Sequence, residues 1–268
     1  VNVDMMLLKD LEGEKCELEM IAGGCDADCH RRRFRTKLIA MGMCGYDRVI
    51  VEPSGIYDVD EFFDVLRDDP IDRWYEIGNV ITVVDAKLES DLSDEADYLL
   101  ASEAANAGCI VLSRSQEAED AEIENTVAHL NHAMEKVQCK RRFQNDIIIK
   151  DWDTFDNTDY EKLLSCGYVS ESYRKMHIEE GETFKSLYFM NLDKTKDEIT
   201  EAAKKVLEDG ECGKVFRVKG FLKDKEEKWL ELNATHQEIR TAPIPEGQEV
   251  VIVIGEEMNE AKIRWYFS

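Results

Sequence analysis

Apolar residues along this chain recur with two alternating periods. Near-continuous apolar runs at 48–51 (R-V-I-V), 79–86 (N-V-I-T-V-V-D-A), 109–112 (C-I-V-L) and 146–149 (D-I-I-I) predict short strands buried on both faces, as in a parallel sheet. Between them the apolar positions fall three and four apart. Phe34, Leu38 and Met41 within 30–43, V-D-E-F-F-D-V-L at 59–66, and the segments 94–107 and 122–138 predict helices. Strands and helices in this rhythm predict an α/β fold, a doubly wound, mostly parallel sheet. Upstream, V-N-V-D and C-E-L-E-M-I-A predict two short strands around a polar turn at Glu12-Gly13-Glu14.

The pattern changes after Lys150. Residues 151–182 are polar and read as a linker with one short helix near 160–166. A smaller α+β domain is expected beyond it: strand 183–192, helix 197–209, strands 214–222, 229–235 and 249–254, and helix 259–267. The domains are therefore expected at 1–150 and 183–268. Lys214, Arg217 and Lys219 alternate along one strand, giving either a solvated face or a surface for an acidic partner.

Composition narrows the partners. At 268 residues with 43% hydrophobic content the chain buries a large core. A formal charge of −24 and a pI near 4.6 argue against nucleic acid and anionic membrane surfaces, which are bound through clustered Lys and Arg. No apolar run approaches the ~20 residues of a membrane span. The eight cysteines are dispersed and no export signal precedes them, so reduced thiols in a cytoplasm are expected, some available to metal.

Two stretches carry candidate chemistry. In D-R-V-I-V-E-P-S-G, residues 47–55, Glu52 falls at the end of an expected strand, where a carboxylate orders a metal-bound water and Gly55 lets backbone approach a phosphate. The alternative is that Glu52 caps the following helix and 53–55 is an ordinary turn. In G-G-C-D-A-D-C-H, residues 23–30, two thiols, two carboxylates and an imidazole follow a glycine pair. Cys25 and Cys29, joined by Asp26, Asp28 or His30, could fill a tetrahedral site for zinc or a similar borderline-soft divalent metal. The C-x3-C spacing and the absence of a second cysteine pair leave open that these cysteines only pack.

Taken in order, G-G-C-x-x-x-C, D-R-V-I-V-E-P-S-G, V-I-T-V-V-D-A, A-x-x-A-G-C-I-V-L-S-R-S, G-K-V-F-R-V-K-G-F and V-V-I-V-I-G resemble the CobW family over nearly the whole chain. These are metallochaperone-type P-loop GTPases. The resemblance implies a P-loop NTPase-like GTPase domain at 1–150, a CobW C-terminal-like domain at 183–268, and GTP, Mg²⁺ and Zn²⁺ or Co²⁺ as ligands. It also implies delivery to a metal-requiring client, with cobalamin biosynthesis among the settings. By it, Glu52 takes the place of the acid at the end of the Walker B strand and Gly55 that of the glycine sensing the γ-phosphate. Ser113, Arg114 and Gln116 stand where the family's N-K-x-D reads guanine, and Gln116 lacks the two charged acceptors of an Asp. The family's C-x-C-C metal motif aligns with Cys25. Ala27 and Asp28 replace its other thiols and Cys29 lies one place later, so Asp28 and His30 are the expected substitutes, which hardens the site. The phosphate-cradling G-x-x-G-x-G-K-S/T does not occur in these 268 residues. V-N-V-D resembles the segment after the P-loop helix, so a cradle upstream of Val1 is expected. The alternative is a degenerate, non-hydrolysing module that binds metal or a protein partner.

Overall fold

The computed structural model of the chain describes residues 3–21, 27–53, 55, 59–144, 146–176 and 184–268. The chain divides into two compact units: 28–178, and 179–268 together with 1–27. It opens with helix α1 (Val3–Leu8), followed by a 3-10 turn at Lys9–Leu11, where a strand is expected from sequence. Met5, Met6, Leu7 and Leu8 are helix formers with no branch at Cβ, and they outweigh the β-branched Val3. Nor is a strand found around Cys16, where only an isolated bridge joins Gly13 and Cys16.

The first unit begins with α2 (Ala27–Cys44), α3 (Val59–Leu66) and α4 (Ile71–Trp74). Phe34 and Leu38, one turn apart, are the buried stripe of α2, and the Phe34 ring lies 5.0 Å from that of Phe62 on α3. Arg31 and Arg35 reach from α2 to Asp68, and the Tyr75 hydroxyl donates to the Leu38 carbonyl at 2.6 Å. Arginines of α2 thus take part in packing these short helices together. Then follow β1 (Ile81–Asp85), α5 (Asp94–Ala105), β2 (Cys109–Ser113), α6 (Asp120–Lys136), β3 (Ile147–Ile148) and α7 (Asn157–Ser165). The strands pair in the order β1-β2-β3, all parallel, giving the expected α/β sheet. Strand β2 is buried along Cys109–Leu112, as a central parallel strand should be.

Residues 48–51 do not join the sheet. They form no strand, and Ile50 is 88% exposed. An apolar run becomes a strand only where a neighbour takes its N–H and C=O groups, and among the described residues none pairs with it. Strand β1 shows the same lack of cover, alternating buried Thr82 and Val84 with exposed Ile81 and Val83. The polar stretch read as a linker packs on this unit. Val80 N–H donates to Gly167 O at 2.9 Å, Val169 N–H to Asn106 O at 3.1 Å and Arg174 N–H to Val137 O at 2.7 Å.

In the second unit β4 (Phe184–Met190), α8 (Lys196–Glu208), β5 (Lys214–Lys223), β6 (Trp229–Ala234), β7 (Ile239–Pro243), β8 (Val250–Glu256) and α9 (Glu260–Phe267) follow in turn. The sheet order is β4-β8-β5-β6-β7, all antiparallel. Its core joins Ile199, Ala203 and Val206 of α8 and Ile263 and Phe267 of α9 to Val215, Val218, Val251 and Val253 of the sheet. Each fully buried aliphatic or aromatic side chain there stabilises the fold by roughly 1.5–3 kcal/mol. Part of the basic alternation on β5 is engaged within the sheet, while Lys214 is exposed. Lys219 is buried and pairs with Glu231 at 3.6 Å, and Arg217 Nε donates to Asn233 Oδ1 at 2.7 Å across the ladder. The extra residue at the register shift between Val215 and Arg217 sets Lys214, opposite Glu256, on the same face as Arg217, opposite Ile254, and Lys219, opposite Ile252. No helix among the described residues is long and apolar enough to cross a membrane.

Candidate functional site

The carboxyl ends of β1 and β2 are level, with Asp85 opposite Ser113 in the parallel register. The strand ends are sewn together: Ala86 N–H donates to Ser113 O at 2.9 Å and the Ser113 hydroxyl to Val84 O at 3.4 Å. Directly after Ser113 the chain turns through Arg114, whose φ of +57° lies in the left-handed region. That turn swings the guanidinium back over the strand end, where it grips the Asp85 carboxylate by two nitrogens. Nε lies 3.2 Å from Oδ1, and Nη2 bonds Oδ2. A bidentate Arg–carboxylate pair of this kind is the strong form of charge-assisted hydrogen bond. Asp85 Oδ1 also accepts from Lys87 N–H at 2.9 Å, which fixes the carboxylate's own rotamer.

Behind the pair stands Thr126 of α6. Its buried hydroxyl donates to Ala86 O at 2.8 Å and accepts from Leu88 N–H at 3.3 Å, closing the turn after β1. Lys87 lies 3.8 Å from Glu122. Gln116 follows on an exposed 3-10 turn at Ser115–Glu117. The segment Ser113–Gln116 is therefore presented at the crevice outside the carboxyl ends of the strands, the place where α/β sheets take ligands. Asp85 lies within the V-I-T-V-V-D-A motif but was not among the expected site residues. The signal was present, since Asp85, like Glu52, is the acid closing an apolar run.

The other candidates are placed differently. Glu52 and Gly55 are exposed, and a Cβ added at Gly55 would meet nothing within 4 Å, so backbone is accessible there. Among the described residues Glu52 makes no hydrogen bond or ion pair, so the structure does not tie it to the Asp85–Arg114 pair. Of the metal candidates, Cys25 lies outside the described residues, as do the side chains of Asp28 and Cys29. The backbone of residues 28–30 forms the first turn of α2. His30 is partly buried. Among the described residues no group of three or more His, Cys, Asp or Glu side chains is arranged to hold a metal.

A family model described as CobW/HypB/UreG, nucleotide-binding domain, matches residues 1–144, just over half of the chain. Among solved structures, the Zn(II)-bound YjiA GTPase from E. coli is similar, with 16% identity and a TM-score of 0.31, covering 91% of this chain and 77% of that one. A Zn(II)-bound triple mutant of the YjiA GTPase gives 16% identity and a TM-score of 0.31, over 91% of this chain and 77% of its own. No curated protein matches.

Proposed function

The chain belongs to the CobW/HypB/UreG family, and from that premise we propose that it couples GTP turnover to the carriage of a divalent metal, zinc or cobalt, to a metal-requiring client. The observation that carries this reading is the presentation of Ser113–Gln116 at the carboxyl end of β2, inside the segment that the family model matches. Ser113, Arg114 and Gln116 meet the nucleobase. Glu52 orients the attacking water, and the open backbone at Gly55 takes the γ-phosphate. Mg²⁺, bound with the nucleotide, supplies neutralisation of charge on the phosphates. Cys25, Cys29, Asp28 and His30 hold the cargo ion, the thiolates giving it preference for borderline-soft metals. The division of labour follows the two domains, 1–150 for nucleotide and 183–268 for the family's C-terminal part.

The test is turnover of Mg²⁺-GTP and binding of Zn²⁺ by protein purified from its natural source. Glu52→Gln should lower turnover by roughly 100-fold or more while leaving GTP affinity nearly unchanged, because its role is at the water and not at the base. Wild-type turnover in that variant removes Glu52 from the mechanism. The double change Cys25→Ser, Cys29→Ser should abolish stoichiometric zinc binding, and unaltered affinity removes the thiol site. A second reading, a non-hydrolysing metal- or partner-binding module, draws on the engagement of Arg114 by Asp85 and on the neutral amide of Gln116. Zinc binding with no turnover selects it.

A further inference from the structure

Cys109 and Cys166, distant in sequence, meet at the amino end of the parallel sheet. Cys109 opens β2, is 2% exposed, and clusters with Val111 and Ile148, against which Cys166 packs from the end of α7. Backbone geometry fixes the approach. Ala107 and Tyr168 form an antiparallel bridge, and Gly108 and Gly167 run so close that a Cβ on Gly108 would lie 2.2 Å from Gly167 O. Val80 locks both sides, accepting from Gly108 N–H at 2.7 Å and donating to Gly167 O at 2.9 Å. From that bridge Cys166 packs against the Cys109 cluster, and a side-chain hydrogen bond joins the two thiols. Both cysteines are free thiols here.

We propose that Cys109 and Cys166 form a reversible redox-modification site, closed to a disulfide by hydrogen peroxide. The Cys166 thiolate attacks one peroxide oxygen, breaking the O–O bond and giving a sulfenic acid and hydroxide, which takes up the proton that Cys166 released and leaves as water. The Cys109 sulfur then attacks the sulfenic sulfur, forming the S–S bond. Hydroxide leaves and departs as water with the Cys109 proton. The two thiols give up two electrons in all, and both peroxide oxygens end as water. A dithiol reductant reverses the step by thiol–disulfide exchange.

The order of events follows access. Cys166 is partly exposed and meets the oxidant first. Burial, and then contact with Cys166, raise the Cys109 pKa and keep it a thiol until its neighbour has reacted. The bond would tie the amino end of β2 to the α7 segment, on the strand whose other end carries Ser113–Gln116.

Reduced full-length protein treated with hydrogen peroxide, alkylated and mapped without reduction tests this. The expected product is a Cys109 peptide joined to a Cys166 peptide, lighter by two hydrogens than their sum and separated by dithiothreitol. Cys166→Ser should abolish that species. Cys109→Ala should leave Cys166 as a sulfenic acid captured by dimedone; the wild-type map decides the question even if that buried variant does not fold. Recovery of both peptides singly alkylated, at peroxide doses that oxidise the exposed Cys16 or Cys44, overturns the proposal, as does Cys109 joined to any other cysteine.

Discussion

Asp97 uses both carboxylate oxygens although it is only 2% exposed: Oδ1 lies 2.7 Å from His129 Nε2 and Oδ2 2.7 Å from Lys136 Nζ. The lysine, shared with Asp94, has its pKa pushed up to about 12 by the hydrogen bonds from Asp94 and Asp97. One carboxylate therefore joins α5 to α6 at two points. Asp97→Asn puts an amide NH₂ against one of two donors and removes the charge. The variant should lose about 2–4 kcal/mol, read as a lower midpoint in urea with an unchanged slope. Arg114 offers a second contrast. Its left-handed φ of +57° disfavours any side chain with a Cβ. Arg114→Ala loses the Asp85 pair and keeps that conformational cost, whereas Arg114→Gly loses only the pair. Glycine should be the more stable of the two by roughly 1 kcal/mol in thermal unfolding. At this scale Arg114 was legible through the family resemblance, which sets Ser113–Gln116 in the place of N-K-x-D. Its partner was not legible, because which strand ends stand side by side depends on the register Asp85–Ser113 and not on either local pattern.

Helix α6 ends in a hydrogen-bonded stop. Gln138 N–H donates to Glu135 O and Cys139 N–H to Met134 O, both at 2.9 Å, with Gln138 at φ +59° and Met134 and Cys139 buried beneath it. This is the Schellman arrangement, in which glycine is the favoured residue. Gln138→Gly, at an exposed position, should stabilise the protein by about 0.5–1 kcal/mol, read as a raised melting temperature. At the other unit, Thr195 and Glu198 form a reciprocal cap on α8, the hydroxyl accepting from Glu198 N–H at 3.3 Å. Thr195→Ala should cost about 1 kcal/mol by the same measurement. Helices such as α5, α8 and α9 were readable because their caps and apolar stripes are local. Strand β7 was not: I-R-T-A-P is exposed throughout and has no alternation to read. Residues 48–51 failed in the opposite sense, since their apolar run has the composition of a buried strand and only pairing decides whether it becomes one.

For the molecule as a whole, acidity sets the response to pH. Burial pushes Glu103 of α5 up to about 8 from an ordinary 4.5. Between those values the folded protein holds a proton that the unfolded chain has released. Stability is therefore unaffected by this group below pH 4.5, falls as pH rises, and levels off above about 8. Glu103→Gln should flatten that slope in denaturant titrations. Repulsion within a chain of formal charge −24 acts in the same direction, but it is screened by salt and the Glu103 contribution is largely not, so the variant and a salt series separate them. The parallel sheet was legible from apolar runs, and so were four strands of the second sheet, whereas the strand order β4-β8-β5-β6-β7 was not, since β8 enters between strands made earlier. During synthesis, β4 and β5 emerge with the slot between them vacant, and each keeps an unpaired backbone edge until Val250–Glu256 arrives. Assembly of this half must be late and non-local, hence slow, and a ribosome stalled ahead of β8 would display two sticky strands for chaperones to shield.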